Sequence, residues 1–260
     1  MRLILVPTPI GNLEDITLRA LRVLKEADAV AAEDTRRSRV LLEHYGIRTR
    51  LVRLDQHTLG RLPALFSRYP TLAYVTDAGT PGISDPGAEL VAWVLARGGR
   101  VEALPGPTAF VPALVASGFD VRRFAFEGFL PRKGRERRER LARIRADDRP
   151  TVLYESPHRL PATLAELAEL FGPDHPVAVA RELTKRHEEV YRGPLLGALQ
   201  RFEKPRGEFV LVVPPAAPEP PDEAALVEAL RARGLSGRDL AEALTRAGVP
   251  RNRAYRLALK

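Results

Sequence analysis

Residues 75–87, VTDAGTPGISDPG, carry the densest chemistry in the chain. Gly79, Gly82 and Gly87 let another molecule approach the main chain closely, while Pro81 and Pro86 preset the backbone and leave the loop little freedom to lose. Such a segment can hold a ligand through backbone amides and carbonyls, with Asp77, Thr80, Ser84 and Asp85 adding polar side chains. The plainer alternative is a rigid strand-to-helix turn that holds nothing. Length argues against it: connections of that kind take about 2 to 6 residues, and this one is about twice as long.

Three more turns of similar make-up follow apolar runs: PTPIGN at 7–12, EDTR at 33–36 and PGPT at 105–108. GxxxxGK[ST] is absent and no GxGxxG follows the first apolar run, which argues against nucleoside triphosphate hydrolysis and ordinary dinucleotide binding. A triad of Ser84, Asp85 and His158 has no support in the order of the residues.

The elements that must position these turns alternate. Strand patterns at 3–6, 29–32, 72–75 and 101–104 are each followed by a helical pattern: 16–27 with Asp15 as N-cap, a helix ending near Tyr45 and closed by Gly46, 87–95, and a stretch running to Gly118. Four alternations predict a mainly parallel sheet covered on both faces. All four turns then fall at the carboxyl ends of strands, the edge where open α/β sheets bind ligands, so they converge on one crevice. A second α/β pattern follows, with strands at 124–129, 151–154, 177–180, 189–191 and 209–213 and helices at 160–171 and from 194. Its strand ends carry ESPHR at 155–159 and RELTK at 181–185. The expected organisation is an α/β domain at 1–115, a second at 119–213, a proline-rich linker at 214–221 and a tail of three short amphipathic helices at 222–260.

The formal net charge of +8 favours a polyanionic partner, nucleic acid first. Only five of the 41 basic residues are lysines, a bias that fits genome composition or a hot habitat as well as function. No apolar run approaches the roughly 18 residues of a membrane span, and the start resembles a strand, not a signal peptide, so the expected location is cytoplasmic. There is no cysteine, and the five histidines show no metal-ligand spacing, so no metal is expected. Residues 132–145 hold eight basic side chains against Glu136 and Glu139, an excess of 8 − 2 = +6. Pairs Glu136–Arg140 and Glu139–Arg143 suit a solvated helix. The surplus suits phosphates, which makes Arg132, Lys133, Arg135, Arg137, Arg138 and Arg140 RNA-contact candidates, with Arg36 and Arg37 extending the track.

PTPIGNLEDITLRAL, AEDTR, VTDAGTPGISDPG, LPGPTA, GFLPRKGRER, YESPHR, ARELTK and GEFVLVV occur in an order and spacing that resemble the ribosomal RNA small subunit methyltransferase I family. The likeness spans about residues 1–213; the family's His/Asn/Glu-rich stretch after the second helix reads LDQHTLGRL here. The resemblance implies a two-domain tetrapyrrole-methylase fold, a homodimer, and S-adenosylmethionine in the cleft between the domains. It also implies methylation of the ribose 2′-oxygen of a cytidine in the decoding region of 16S rRNA. By motif position Pro9, Gly11, Asp77, Gly79, Ile83, Ser84, Pro105, Gly106, Thr108 and Ala109 line the cofactor pocket, joined by Glu155, Arg181, Glu182, Gly207 and Glu208.

Transfer of a methyl group to a hydroxyl needs positioning and a general base. Asp34, Glu155, Glu182 and Lys185 are the candidates; Lys185 requires a depressed pKa, and each has a structural reading as well. Two rival functions stand beside this one. A methylase of the same fold acting on a tetrapyrrole has no need of the 132–145 surplus or the tail, and a non-catalytic RNA-binding assembly factor would not take up the methyl donor.

Overall fold

The computed structural model describes residues 1–217 and 223–259. It comprises two compact units, 1–215 and 216–260. The expected linker at 214–221 falls partly outside the described residues, as do the side chains of Gln56 and His57.

The first sheet contains β1 (Arg2–Leu5), β2 (Ala29–Ala32), β3 (Leu51–Arg53), β4 (Thr71–Val75) and β5 (Arg100–Ala103), in the order β3-β2-β4-β1-β5, all parallel. Helices α1 (Leu18–Glu26), α2 (Thr35–His44), α3 (Leu62–Arg68) and α4 (Gly87–Leu95) cover it. The two-residue alternation of strands sorts the core: Ile4, Val30, Ala32, Ala73 and Val75 pack with Leu24 and Leu41, whereas Leu3, Leu5, Ala31, Leu72 and Tyr74 pack with Phe66 and Leu90. Strands buried on both faces need continuous apolar runs, and β2 is buried at every position.

Two expectations need correction here. β3 has no counterpart in the expected strands; it is a three-residue edge strand, part-exposed throughout, too short and too polar to stand out. The N-cap of α1 is Thr17, whose hydroxyl accepts from the Ala20 amide at 3.0 Å, and Asp15 instead closes a 3-10 turn one step earlier.

Helix α5 (Phe110–Ser117) ends on Gly118, which takes the left-handed conformation, and leads into the second sheet. That sheet runs β6-β7-β10-β8-β9, with β6 (Ala125–Phe129), β7 (Thr151–Glu155), β8 (Pro176–Arg181), β9 (Glu189–Pro194) and β10 (Phe209–Val213); only the β6–β7 pair is parallel. Helices α6 (Arg135–Ala146), α7 (Leu160–Phe171) and α8 (Leu195–Arg201) pack on one face through Leu141, Leu164, Leu167 and Ala198. The other face receives α5. Ala113 and Leu114, which precede the expected domain boundary, share a core with Val152, Ala178, Ala180 and Val210, and Ile10 of the first half packs against it.

The second unit is described by itself. Helices α9 (Glu223–Ala232), α10 (Gly237–Arg246) and α11 (Arg251–Ala258) enclose a small core of Leu240, Leu244, Val249 and Ala254.

Candidate active site

The turns after β1, β4 and β5 lock into one edge. Thr8 and Gly79 exchange backbone hydrogen bonds of 3.0 and 2.9 Å, and the Thr80 hydroxyl donates to the Pro107 carbonyl at 2.9 Å. Within the long loop, the Asp85 carboxylate accepts from the amides of Gly82 (2.9 Å), Ile83 (3.1 Å) and Gly87 (2.7 Å). One side chain thereby holds the loop against the start of α4. Gly79 and Gly82 have φ of 78° and 93°, where glycine is at ease; Ser84 has φ 67°, a conformation that non-glycine residues rarely adopt and that clusters at functional sites.

This edge faces the second sheet across a cavity of about 470 Å³, within the range of small-molecule sites. The first half contributes Ile10, Glu33, Arg37, Asp77, Gly79, Thr80, Ile83, Ser84, Thr108 and Ala109; the second contributes Phe129, Tyr154, Glu155, Ala180, Leu183, Glu208, Phe209 and Val210. Of the residues expected at the cofactor, Asp77, Gly79, Ile83, Ser84, Thr108, Ala109, Glu155 and Glu208 thus come together from separate strands.

The others shape the walls. Pro9 lines a neighbouring cavity of about 100 Å³ together with Arg37, Thr76 and Asp77. Gly106 lies against Pro7, whose Cβ would be 2.6 Å from any side chain placed there, with Pro105 exposed beside it. Gly11 abuts the turn at 183–185; a Cβ there would meet Lys185 Cγ and come within 2.9 Å of Thr184 Oγ1. That turn is strained, with φ of 51° at Glu182 and 66° at Thr184, and the buried Thr184 hydroxyl has no hydrogen-bond partner among the described residues. Gly207, at φ 97°, leaves room for the Glu182 carboxylate, and Arg181 donates to the Arg206 carbonyl at 2.8 Å while facing Glu189.

The four candidate bases fare differently. Asp34 caps α2 by accepting from the Arg36 amide at 2.9 Å and grips the Arg36 guanidinium, which brings its pKa down to about 2. These bonds hold it at the start of α2, and it is not among the residues that line the cavity. Burial tends to lower the pKa of Lys185, but its bonds to Glu182 and Glu208, both 2.8 Å, outweigh that and raise it. An ammonium held between two carboxylates keeps its proton, contrary to the depressed pKa a base would need. Glu182 is the other half of that cluster: burial opposes its charge, yet the bonds from Lys185 and the Glu208 amide lower its pKa. Glu155 reaches the cavity wall but is fully engaged. It accepts from the Ser156 amide (2.9 Å) and the Thr163 hydroxyl (2.7 Å) and faces Arg159 at 3.4 Å, with its side chain 1% exposed.

The same network corrects the RNA surface. Arg137 is buried; it donates to Glu166 (2.8 Å), Thr163 (2.8 Å) and the Pro131 carbonyl (2.9 Å), so its guanidinium braces α6 on α7 and faces no phosphate. Arg140 pairs with Glu127, and the ion pair along α6 is Arg135–Glu139 instead of the two expected pairs. Arg132, Lys133, Arg135 and Arg138 are exposed, as is Arg36, which remains tied to Asp34. Arg37 is exposed too; it faces Asp77 at 3.3 Å and lines the cavity.

Sequence reasoning missed Ile10, Glu33 and Tyr154 as lining residues. Each lies in or beside a segment already singled out: Ile10 in the turn after β1, Glu33 directly after β2, and Tyr154 near the end of β7. Tyr154 packs edge-on to Phe126 and Phe129 at 5.1 and 5.6 Å, and burial raises its phenol pKa against hydrogen bonds with Thr108 and the Phe110 backbone.

A parallel sheet whose loops overhang a mixed sheet, with the cavity between them, defines a methyltransferase class: the model of the tetrapyrrole (corrin/porphyrin) methylases matches residues 2–198. A solved uroporphyrin-III C-methyltransferase from Thermus thermophilus, complexed with S-adenyl homocysteine, shares the fold at a TM-score of 0.61 and 22% identity, covering 82% of this chain and 92% of that chain. The ribosomal RNA small subunit methyltransferase I of Synechocystis sp. is 43% identical over 276 residues, covering 99% of this chain and 97% of the relative. That of Halalkalibacterium halodurans is 48% identical over 217 residues, 81% of this chain and 75% of the relative. The chain belongs to the ribosomal RNA small subunit methyltransferase I family within the tetrapyrrole methylases.

Proposed function

We propose that this protein transfers a methyl group from S-adenosylmethionine to the ribose 2′-hydroxyl of a cytidine in the decoding region of 16S rRNA, within the small ribosomal subunit. The observation that carries the reading is the cavity itself, where the loops after β1, β4 and β5 meet unpaired and paired carboxylates within a few residues of an exposed basic surface. The donor set fits the cofactor. Backbone groups of 77–80 and 83–84 suit its polar parts, Ile10, Ala109, Leu183 and Val210 its flat apolar part, and Asp77 its positive sulfonium. When bound, that cofactor supplies a methyl group on an excellent leaving group.

The chain's own residues do the rest. Asp85 holds the loop, Gly79 admits close backbone approach, and Phe129 carries the wall toward Arg132 and Lys133, three and four positions further along. A phosphate backbone tracking those exposed cations brings a nucleotide to the mouth of the cavity, and a splayed-out cytidine is the form such a site can take. Among the described residues no helix is long and apolar enough to cross a membrane. A cytoplasmic homodimer completes the reading, on the family resemblance.

Incubation with radiolabelled S-adenosylmethionine and small subunits that lack ribose methylation, followed by mapping of the labelled nucleotide, tests it. Label on a cytidine 2′-oxygen is expected. Label on a base, or on a tetrapyrrole in preference to RNA, refutes it.

A further inference from the structure

Five carboxylates line the cavity: Glu33, Asp77, Asp85, Glu155 and Glu208. Four are engaged. Asp77 faces Arg37, Asp85 is filled by three loop amides, Glu155 is held by Ser156, Thr163 and Arg159, and Glu208 binds Lys185. Glu33 alone makes no hydrogen bond or ion pair among the described residues, although it stands at the carboxyl end of β2 with its side chain part-buried. A base must have its lone pairs available; Asp85 and Glu155 each already face three donors, and Asp77 and Glu208 each turn an oxygen to a cation that competes with a hydroxyl for it.

We infer that Glu33 is the general base of the methyl transfer, accepting the proton of the acceptor hydroxyl. The inference rests on the reaction proposed above. The hydroxyl proton passes to the Glu33 carboxylate as the oxygen's electron pair forms the O–C bond; the C–S bonding pair returns to sulfur, and the Glu33 carboxyl then gives its proton to solvent. Its surroundings suit the task. Burial first, and then the neighbouring charges of Asp77, Asp85 and Asp55, raise the Glu33 pKa against the opposing pull of Arg37, toward the pH at which a base works best. A carboxylate kept ionised against burial and three like charges weakens the fold. Its folded-state pKa lies above the unfolded one, so stability falls as pH rises through that interval and stays lower at neutral pH.

The test compares the wild type with Glu33→Gln and Glu33→Asp by three readouts. Single-turnover methylation of small subunits should fall by about a hundred- to ten-thousandfold in E33Q, with partial recovery in E33D. The wild-type rate should rise with pH and level off, and E33Q should lose that rising limb. Calorimetry should show the ratio of S-adenosylmethionine to S-adenosylhomocysteine affinity unchanged in E33Q, and its thermal midpoint should be higher than the wild type's at pH 7. A selective loss of S-adenosylmethionine affinity would make Glu33 a sulfonium partner and overturn the assignment. So would an E33Q rate close to that of the wild type, or a lowered midpoint, which is what a merely structural residue gives. Wild-type protein that labels no ribose overturns the reaction and the base assignment together, whereas ribose label with an unimpaired E33Q overturns the base assignment alone.

Discussion

The two sheets present their strand ends to one cavity in opposite states. On the parallel side the loops are held by backbone and by Asp85, and they leave amides, Ser84 and Glu33 turned to the opening. On the mixed side nearly every charge is already spent on a neighbour: Glu155 on Thr163 and Arg159, Glu182 and Glu208 on Lys185, Arg137 on Glu166. The difference teaches that titratable residues in a motif do not by themselves mark chemistry. The parallel edge leaves groups open to a ligand; the mixed edge builds a braced wall opposite them.

Substitutions on the two sides should therefore fail in different ways. Apart from the Glu33 variants, the largest expected effect is structural. Arg137→Ala should lower stability by about 3 kcal/mol in denaturant unfolding, since it takes one of two partners from the Thr163 hydroxyl and from the Pro131 carbonyl and leaves Glu166 unpaired; the part-exposed Glu166 keeps the loss at the low end for a broken buried pair. Equal stability in that variant would break the contrast. Asp85→Ala should weaken S-adenosylhomocysteine binding by roughly ten- to a hundredfold in calorimetry with a modest change in thermal midpoint, because three amides lose a charged acceptor within the loop alone. Gly11→Ala pushes into Lys185 and Thr184 and should cost about 1 to 3 kcal/mol in thermal unfolding, the usual penalty of overpacking. The smallest effect belongs to Arg138→Ala. Its exposed guanidinium should contribute only to RNA affinity, reducing the slope of log affinity against log salt by about 0.7 while leaving unfolding unchanged.

Much of this arrangement was legible in the residues. Glycine, proline and aspartate after apolar runs marked the loops, and α4, α7 and β10 lie where periodicity placed them. β3 escaped because three part-exposed residues on a sheet edge carry no apolar run. The contrast between Arg137 and Arg138 did leave a trace: Arg137, Leu141 and Ile144 are the buried positions of α6, four and three residues apart, so an arginine in register with that apolar stripe faces inward. Charge counting overlooked it because a sum has no direction. Glu33 was passed over for Asp34, one residue later; only the coordinates separate the carboxylate that caps a helix from the one that looks into the cavity.

The Thr163 hydroxyl accepts from Arg137 and donates to Glu155, so a single oxygen couples the underside of the basic helix to the cavity wall. With Arg159 and Arg137 both gripping the Pro131 carbonyl, the helix is bolted down at its approach as well. The exposed cations of α6 are thus anchored through the buried Arg137 to the same residues that form the cavity wall, so a change at that wall is felt on the positive face.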